Sequence, residues 1–277
     1  MLTVENLRVT FAARNGRVDA VRGVSLQVGR EKLGIVGESG SGKSTVGRAI
    51  MGLLPPGAMV TADRMEFAGI DLRRATRAQW RDLRGGRIGM VLQDPKYSLN
   101  PVMRVGEQIA ESLRDHQGLR GRAARTRVGE LLAAVRIRDP ERVAGAWPHE
   151  LSGGMGQRVM IATMLAGEPD LLIADEPTSA LDVTVQMQVL AILDDLVSQR
   201  GMGLIFISHD LELVATFCDR VAIMYAGRIV EVCQAAELHA AKHPYTRGLL
   251  GCLPRLDRPQ ERLPVLTRDP AWLEDGP

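Results

Sequence analysis

A run of residues near the amino terminus has the types and spacing of a phosphate-binding loop. Gly37-Glu38-Ser39-Gly40-Ser41-Gly42-Lys43-Ser44 fits the pattern G-x-x-x-x-G-K-[ST], and a helical pattern starts at Thr45. Glycines let the backbone curl until consecutive N–H groups point at phosphate oxygens, and the helix N-terminus adds positive potential. Lys43 supplies a charge toward the β- and γ-phosphates, and the Ser44 hydroxyl can ligate Mg²⁺. The alternative is a Gly/Ser-rich turn before a helix, but both flanks match the motif.

Two further strand ends carry residues that could turn nucleotide binding into hydrolysis. Asp175 and Glu176 follow an apolar run, Leu171–Ala174, so the aspartate could hold Mg²⁺ and the glutamate could polarise the attacking water. His209 follows a second apolar run. Strand ends at one edge of a parallel sheet converge on a ligand crevice, which is where these side chains would meet phosphate. Taken alone, an apolar run that ends in two acids is more often a strand leaving the core. A lone histidine after a strand is more often a surface residue.

The elements that must position these residues alternate between short apolar runs and longer helical patterns. This alternation is typical of an α/β fold with a mostly parallel sheet. The predicted strands are Leu33–Val36, Ile88–Leu92, Leu171–Ala174, Leu204–Ile207 and Val221–Tyr225.

The remaining segments predict additions to this core. Residues 2–28 indicate short alternating strands with a turn near Asn15-Gly16. Residues 101–165 show helical spacing and no strand, so we expect a helical insertion there. After Glu231 repeated prolines predict an irregular extension. The domains we expect are 1–235, including the insertion, and an extension over 236–277.

Composition excludes several classes of protein. The 277 residues carry 35 basic and 33 acidic side chains, a net charge of +2, and 45% hydrophobic residues, which are globular values. The longest uncharged stretch, Ala49–Ala62, is too short to span a bilayer and contains two prolines. The first five residues lack the pattern of a signal peptide, so we expect a cytoplasmic protein. Three scattered cysteines form neither a disulfide framework nor a C-x-x-C site.

An arginine-rich segment is the one feature that could meet nucleic acid. Its arginines are Arg114, Arg120, Arg122, Arg125, Arg127, Arg136, Arg138 and Arg142. Apolar residues recur at helical spacing beside them, and no stacking aromatic lies among them. We therefore favour a solvated helical face over a nucleic-acid surface.

The order of motifs resembles the ATP-binding subunit of an ABC transporter. Leu151-Ser152-Gly153-Gly154-Met155-Gly156-Gln157-Arg158 looks like that family's signature segment, which other P-loop kinases and GTPases lack. The remaining motifs follow in the family's order: the phosphate-binding loop, the glutamine loop at Gln93, the signature, Walker B at Leu171–Glu176, a D-loop at Ser179–Asp182 and the switch histidine at His209. The resemblance covers residues 1 to about 235, and it implies a P-loop NTPase core with an antiparallel β subdomain and an inserted helical subdomain.

The resemblance also implies a role for each matched residue. Residues 37–45, including Thr45, would bind the phosphates of ATP, and Mg²⁺ would be organised by Ser44, Gln93 and Asp175. Glu176 would be the general base and His209 would contact the γ-phosphate. In a partner subunit's site, Ser152, Gly153 and Gly154 would contact the γ-phosphate. Phe11 is the candidate for stacking on adenine, although it also suits an apolar strand position.

Two segments resemble the peptide and nickel importer ATPases within that family. They are Gln93–Pro101 and His243–Leu250. The implied partners are a second, non-identical ATP-binding subunit, two integral-membrane permeases and an extracytoplasmic solute-binding protein, with the chain peripheral on the cytoplasmic face of the inner membrane. A homodimer stays open. The other functional class is a soluble ABC ATPase acting on nucleic acid. That class usually shows tandem ATPase domains, long coiled-coil insertions or cysteine-rich fingers, and this sequence has none of these patterns.

One residue departs from the family pattern, and one pair of histidines has a spacing that could bind a metal ion. Gly156 stands where a larger, often basic residue is common. His239 and His243 lie four residues apart, a spacing that could hold a metal ion. Because no third ligand is nearby, we interpret the pair as part of a solvated helix. The tail also lacks the cysteine cluster of some relatives, so we expect no iron–sulfur site.

Overall fold

The chain folds into two units, one built from Met1–Arg73 and Phe206–Pro277 and the other from Arg74–Ile205. The structure is a computed structural model, and it describes residues 1–13, 16–94, 98–179 and 181–253 together with Leu266, Asp269 and Trp272. Asn15 of the predicted turn, residues 95–97 of the glutamine loop, Ala180 of the predicted D-loop and most of the tail beyond 253 lie outside the described residues.

The elements follow one another in this order. The strands are β1 (Leu2–Ala13), β2 (Gly16–Val28), β3 (Lys32–Val36), β4 (Met59–Thr61), β5 (Arg64–Phe67), β6 (Ile70–Asp71), β7 (Ile88–Val91), β8 (Leu171–Asp175), β9 (Gly203–Ser208), β10 (Arg220–Tyr225) and β11 (Arg228–Gln234). The helices are α1 (Lys43–Ile50), α2 (Arg77–Leu83), α3 (Val105–Gln117), α4 (Gly121–Ala134), α5 (Pro140–Gly145), α6 (Gly153–Leu165), α7 (Val183–Arg200), α8 (Leu211–Phe217) and α9 (Pro244–Gly251). Short 3-10 helices occupy Pro148–Glu150 and Ala235–Ala240.

The antiparallel sheet of the first unit is organised around β1. This strand pairs with β2, β4 and β5, and β5 pairs with β6. Val4 and Val9 of β1 and Val24 of β2 are buried, whereas several intervening positions are not. The alternating strands predicted over residues 2–28 are therefore present. They are long rather than short, because the pairing of β1 with β2 continues past the register shifts between Val4 and Thr10.

Parallel pairs of strands carry the predicted site residues in both units. In the first unit β10 lies parallel to β3, with Ile223 opposite Val36, and antiparallel to β11. In the second unit β7 lies parallel to β8, with Val91 opposite Ala174. All four residues of β7 and all five of β8 are buried, as expected of strands covered on both faces. Each of the five predicted strands is found within one residue of its predicted ends.

The helix after the phosphate-binding loop differs from its predicted bounds. It begins at Lys43 rather than Thr45, because Gly42 takes the left-handed conformation at its N-cap. It ends at Ile50 rather than near Leu54, because Gly52 has a φ of 60° and the chain turns there. Residues 101–165 contain only helices, as their spacing predicts.

The prediction of an irregular chain after Glu231 is wrong up to residue 253. Strand β11 continues to Gln234, and a 3-10 helix and α9 follow. Tyr245 and Thr246 in the first turn of α9 are fully buried. Pro244 misled the prediction, since proline fits the first turn of a helix as well as a loop.

The interpretation of His239 and His243 as neighbours on a solvated helix is also wrong. His239 lies in the 3-10 helix, whereas His243 is the N-cap of α9, so one helix does not hold both. His243 is buried, and its Nδ1 accepts a hydrogen bond from the Tyr245 N–H. His239 is exposed and faces Glu212 at 3.7 Å.

Candidate functional site

Glycines in the first-unit loop are required by close contacts as well as by backbone conformation. A Cβ on Gly37 would lie 2.0 Å from the Met224 carbonyl oxygen, and one on Gly42 would lie 2.4 Å from the Ala20 carbonyl oxygen. Both residues have positive φ, 155° and 102°. The loop therefore follows a path that larger residues could not take, between the end of β10 and β2.

Lys43 is buried beneath this loop. Its side chain is only 4% exposed, and its Nζ donates to the carbonyl oxygens of Gly37 and Glu38, both at 2.8 Å. Burying an ammonium is costly unless it meets acceptors or an anion. Its position at the start of α1 puts it beside the N–H groups of the helix N-terminus, where an anion is favoured.

The rest of the loop leaves polar groups at its surface. Ser39 and Gly40 are exposed, and Ser44 and Thr45 are half-buried in the first turn of α1. The Ser41 hydroxyl is buried and has no hydrogen-bond partner among the described residues. Backbone and hydroxyl donors in a curled loop are the chemistry that binds phosphate oxygens.

One contact to this loop was not predicted from the sequence. The backbone N–H of Glu38 donates to the hydroxyl of Tyr245, at 3.2 Å, from the first turn of α9. No local pattern announces it, since the two residues are more than two hundred positions apart.

His209 and Phe11 also lie in the first unit. His209 is exposed, directly after β9 and before Asp210, whose carboxylate caps α8 by accepting from the Leu213 N–H at 3.0 Å. Phe11 is half-buried on β1 opposite Val18. Their proposed contacts with the γ-phosphate and with adenine remain predictions.

In the second unit the end of β8 presents the two predicted acidic residues differently. Asp175 is the last residue of the strand and is 3% exposed. Glu176 has a φ of 48°, in the left-handed region that non-glycine residues rarely adopt. Its carbonyl oxygen accepts from both the N–H and the hydroxyl of Ser179, which hold the turn. Such strain is typical of functional positions, and no residue pattern around Glu176 predicts it.

Gln93 and Glu176 are brought into contact within this unit. The amide Nε2 of Gln93 donates to the Glu176 carboxylate at 3.3 Å. The glutamine-loop residue and the predicted general base, 83 positions apart, therefore share one hydrogen bond.

The signature segment forms the N-terminus of α6. Ser152 is its N-cap, and the serine hydroxyl accepts from the Met155 N–H at 3.4 Å. A Cβ on Gly154 would lie 2.4 Å from Val185 Cγ1 of α7, whereas one on Gly153 would approach nothing closer than Leu181 at 3.9 Å. Gly154 is thus required for packing against α7, while Ser152 and Gly153 are exposed.

A cavity of about 500 Å³ connects these segments of the second unit. It is lined by Gln93 and Asp94, by the signature residues Ser152, Gly153, Gly156 and Gln157, and by Pro177 and Leu181 after the strained glutamate. The glutamine loop, the signature and the segment after Walker B thus border one space. Gly156, the residue that departs from the family pattern, also lines this cavity.

Many arginines of the predicted basic segment are paired with acids. Arg127 contacts Glu130 and Glu168, both at 2.8 Å. Arg136 contacts Asp195 at 2.6 Å, and Arg114 contacts Glu111 at 3.3 Å. Paired guanidinium groups are poor ligands for a phosphate backbone, so the solvated-face interpretation is favoured over nucleic-acid binding.

The donor chemistry fits Mg²⁺ bound together with a triphosphate. Ser44, Gln93 and Asp175 offer hydroxyl, amide and carboxylate oxygens, which suit this hard cation. Among the residues that the structure describes, no cluster of three or more His, Cys, Asp or Glu could hold a metal. Mg²⁺ is usually held by one or two protein oxygens and the substrate's phosphates, and its binding by these residues stays a prediction.

Comparison with known proteins identifies the family. A family model described as ABC transporter matches residues 21–179. The chain is 47% identical over 260 residues to the dipeptide transport ATP-binding protein DppD of Bacillus subtilis, covering 93% of this chain and 78% of that protein. It is 46% identical to the oligopeptide transport ATP-binding protein OppD of the same organism, covering 100% and 78%. The probable D,D-dipeptide transport ATP-binding protein DdpD of Escherichia coli is 45% identical, covering 96% and 82%.

Solved structures agree in fold. The dimeric ATP-binding cassette MJ0796, in a post-hydrolysis state bound to ADP and Pi, superposes with a TM-score of 0.74 at 28% identity, covering 85% of this chain and 99% of that one. Clostridium perfringens cbiO1, part of the ABC transporter complex cbiONQ, gives 0.72 at 29% identity, covering 86% and 90%. The α/β P-loop NTPase fold predicted from the sequence is confirmed.

No helix in the described part of the chain is both long and apolar enough to cross a membrane. The phosphate-binding loop around Lys43, the strained glutamate after β8 and the signature helix α6 occur together with a matching family model and close relatives. The chain therefore belongs to the ABC transporter family, as an ATP-binding subunit whose hydrolysis of ATP is coupled to transport.

Proposed function

We propose that this subunit energises the import of peptides. The three relatives described above are named for dipeptide, oligopeptide and D,D-dipeptide transport, and the similarity extends over nearly the whole chain. This favours peptides over nickel, the other solute considered from the sequence. The observation that carries the ATPase part of the proposal is the burial of Lys43 beneath a loop of curled backbone.

The residues of each unit have distinct tasks in this proposal. In the first unit, Lys43 and the backbone of residues 37–45 bind and orient the triphosphate. Ser44, Gln93 and Asp175 would each offer an oxygen to Mg²⁺, which would supply positive charge to offset that of the phosphates. Glu176 removes a proton from the attacking water. His209 contacts the γ-phosphate, and Phe11 stacks on adenine.

The exposed N-terminus of α6 serves a second ATP-binding subunit in this proposal. Ser152 and Gly153 are exposed, so a phosphate held by a partner subunit could reach them. The helix N-terminus attracts anions. The partner would in turn offer its own signature helix to the ATP held by Lys43. Non-identical partners are favoured by the resemblance to peptide importers.

The remaining partners follow from the proposed transport. Two integral-membrane permeases form the path for the peptide, and an extracytoplasmic binding protein delivers it. The chain would lie on the cytoplasmic face of the inner membrane, held there by the permeases.

Uptake into vesicles tests the proposed function. The chain would be co-purified with its permeases and second ATPase, reconstituted into proteoliposomes with the binding protein, and given labelled dipeptides or Ni²⁺ with ATP and Mg²⁺. We expect ATP-dependent uptake of peptide that Lys43→Ala abolishes. Uptake of Ni²⁺ but not of peptide would refute the proposed solute class.

A further inference from the structure

Tyr245 joins the C-terminal part of the first unit to the phosphate-binding loop. Its hydroxyl oxygen accepts the hydrogen bond from the Glu38 N–H at 3.2 Å. The residue lies in the first turn of α9 and has no exposed surface. Family membership assigns no task to this contact.

The Glu38 backbone is a central point of the loop. Its N–H is bonded to Tyr245, and its carbonyl oxygen accepts from Lys43 Nζ at 2.8 Å and from the Ser41 N–H at 3.2 Å. If Glu38 shifted away from Tyr245, its carbonyl oxygen would shift as well. That oxygen accepts from Lys43, the residue proposed to bind phosphate.

Tyr245 is itself held firmly. Its N–H donates to Nδ1 of His243, and the carboxylate of Glu231 accepts from the N–H groups of Lys242 at 2.7 Å and His243 at 3.3 Å. Its ring packs against Tyr225, with centroids 4.4 Å apart, and against Trp272, at 5.7 Å. The hydroxyl thus has little freedom to follow a moving loop.

The same hairpin that carries Tyr225 supports the loop from a second side. The Gly227 N–H, just after β10, donates to the Ser41 carbonyl oxygen at 2.9 Å, and the Met224 carbonyl lies close against Gly37. Strand β10, α9 and the loop therefore form one packed group. A buried tyrosine hydroxyl usually has a hydrogen-bond partner. Here that partner is the backbone of the phosphate-binding loop.

We propose that Tyr245 is a positioning residue for ATP binding, which holds the first bend of the phosphate-binding loop in its phosphate-ready form through the Glu38 N–H. The proposal rests on the proposed role of the loop in binding ATP. If the loop adopts its binding-competent form in only a fraction of the molecules, the apparent Kd for ATP equals the intrinsic Kd divided by that fraction. Once ATP is bound, its phosphates order the loop directly, so the rate at saturation should change little.

The test compares three variants of the full-length chain, each co-purified with its second ATP-binding subunit. Tyr245→Phe removes only the hydroxyl. Tyr225→Phe is the matched control, because it removes a hydroxyl from the neighbouring ring, and no hydrogen bond from that hydroxyl to the loop is found among the described residues. Lys43→Ala reports on the loop itself. Affinity for a fluorescent ATP analogue, KM and kcat for ATP, and the melting temperature would be measured for each.

We expect Tyr245→Phe to weaken ATP binding about two- to tenfold, the effect of losing one hydrogen bond, with KM raised in parallel and kcat within about twofold of wild type. Tyr225→Phe should match wild type. If Tyr245→Phe lowers the melting temperature but leaves Kd and KM unchanged, the contact is only structural and the proposal fails. An equal loss in Tyr225→Phe would also overturn it, since ring packing would then be responsible. If Lys43→Ala binds ATP normally, the role of the loop fails instead.

Hydrogen exchange gives a second readout that needs no variant. Without added nucleotide, the Glu38 N–H should exchange at least tenfold more slowly than the N–H of exposed Ser39. Equal exchange at the two positions would show that the Tyr245 bond does not hold the loop, and would overturn the proposal.

Discussion

The side-chain amide of Gln93 donates a hydrogen bond to the carboxylate of Glu176, at 3.3 Å, in the second unit. A general base must present an oxygen to the proton that it removes. Gln93 therefore contacts the carboxylate that is proposed to act as the base. The left-handed backbone at Glu176, whose carbonyl oxygen accepts from the Ser179 hydroxyl, sets the position of that carboxylate.

Replacing Glu176 by Gln should separate ATP binding from hydrolysis. The change preserves size and hydrogen bonding but removes the base, so kcat should fall about 10²- to 10⁴-fold while ATP affinity persists. Glu168→Gln is a matched control, since Glu168 also has a left-handed φ, of 56°, in the same unit. Steady-state ATPase assays would measure both. Normal hydrolysis by Glu176→Gln would place the base elsewhere.

Replacing Lys43 by Ala should abolish productive ATP binding. The change removes a buried charge that faces the loop carbonyls and leaves the β- and γ-phosphates poorly neutralised. Calorimetric titration with ATP and Mg²⁺ would measure the loss. Lys242→Ala, which removes an exposed lysine, is the control for net charge and should bind as wild type. Retained affinity in Lys43→Ala would contradict the assignment.

The phosphate-binding loop could be predicted because backbone geometry dictates its glycines, whereas the acidic pair and the signature could be predicted from their residue types and their order in the chain. Gly37 and Gly42 must be glycine, because a Cβ at either position would lie 2.0 or 2.4 Å from a carbonyl oxygen. The spacing of these glycines is therefore visible in the sequence. The contacts of Gln93 with Glu176 and of Tyr245 with Glu38 join residues far apart in the chain. No local pattern encodes them, and they become visible only once the chain is folded.

The irregular extension predicted after Glu231 is a case in which a local pattern was misleading. Prolines after Glu231 favoured an irregular tail, yet Pro244 occupies the first turn of α9 and Tyr245 is buried beside it. Proline fits the first turn of a helix as well as a loop, so the prolines alone could not distinguish the two. The prediction for His243 was also wrong, because the spacing of two histidines does not reveal that one helix ends between them and another begins at Pro244.

The two glycines that open α6 should differ in their effect on stability. Gly154→Ala would place a methyl group 2.4 Å from Val185 Cγ1, and such overpacking costs about 1–3 kcal/mol of the free energy of unfolding. Gly153→Ala, with its nearest neighbour at 3.9 Å, should leave stability unchanged or slightly higher. Denaturant unfolding would compare them. Equal destabilisation would mean that α6 and α7 are not packed as described.

Cys218 should make the protein less stable at alkaline pH. Burial, with a smaller opposing effect of Lys32, raises the pKa of the Cys218 thiol from about 9 to about 12. The unfolded thiol ionises from about pH 9, whereas the folded one stays protonated, so its contribution to stability is complete below pH 9 and is lost as the pH rises toward 12. Comparing unfolding free energies of wild type and Cys218→Ala from pH 8 to 10.5 would test this. The variant should lose less stability over that range, and identical slopes would contradict the burial of the thiol.

The concentration dependence of ATPase activity tests the central claim, that this chain is an ATPase subunit which needs a second ATP-binding domain to offer a signature helix to its bound ATP. Specific activity with ATP and Mg²⁺ would be measured over a wide range of concentrations of the isolated chain, with its oligomeric state followed by light scattering, and again after the co-purified second subunit is added. The account predicts low activity from the monomer, and a rise with concentration or on adding the partner. Full activity that is independent of concentration, from a sample shown to be monomeric, would contradict it.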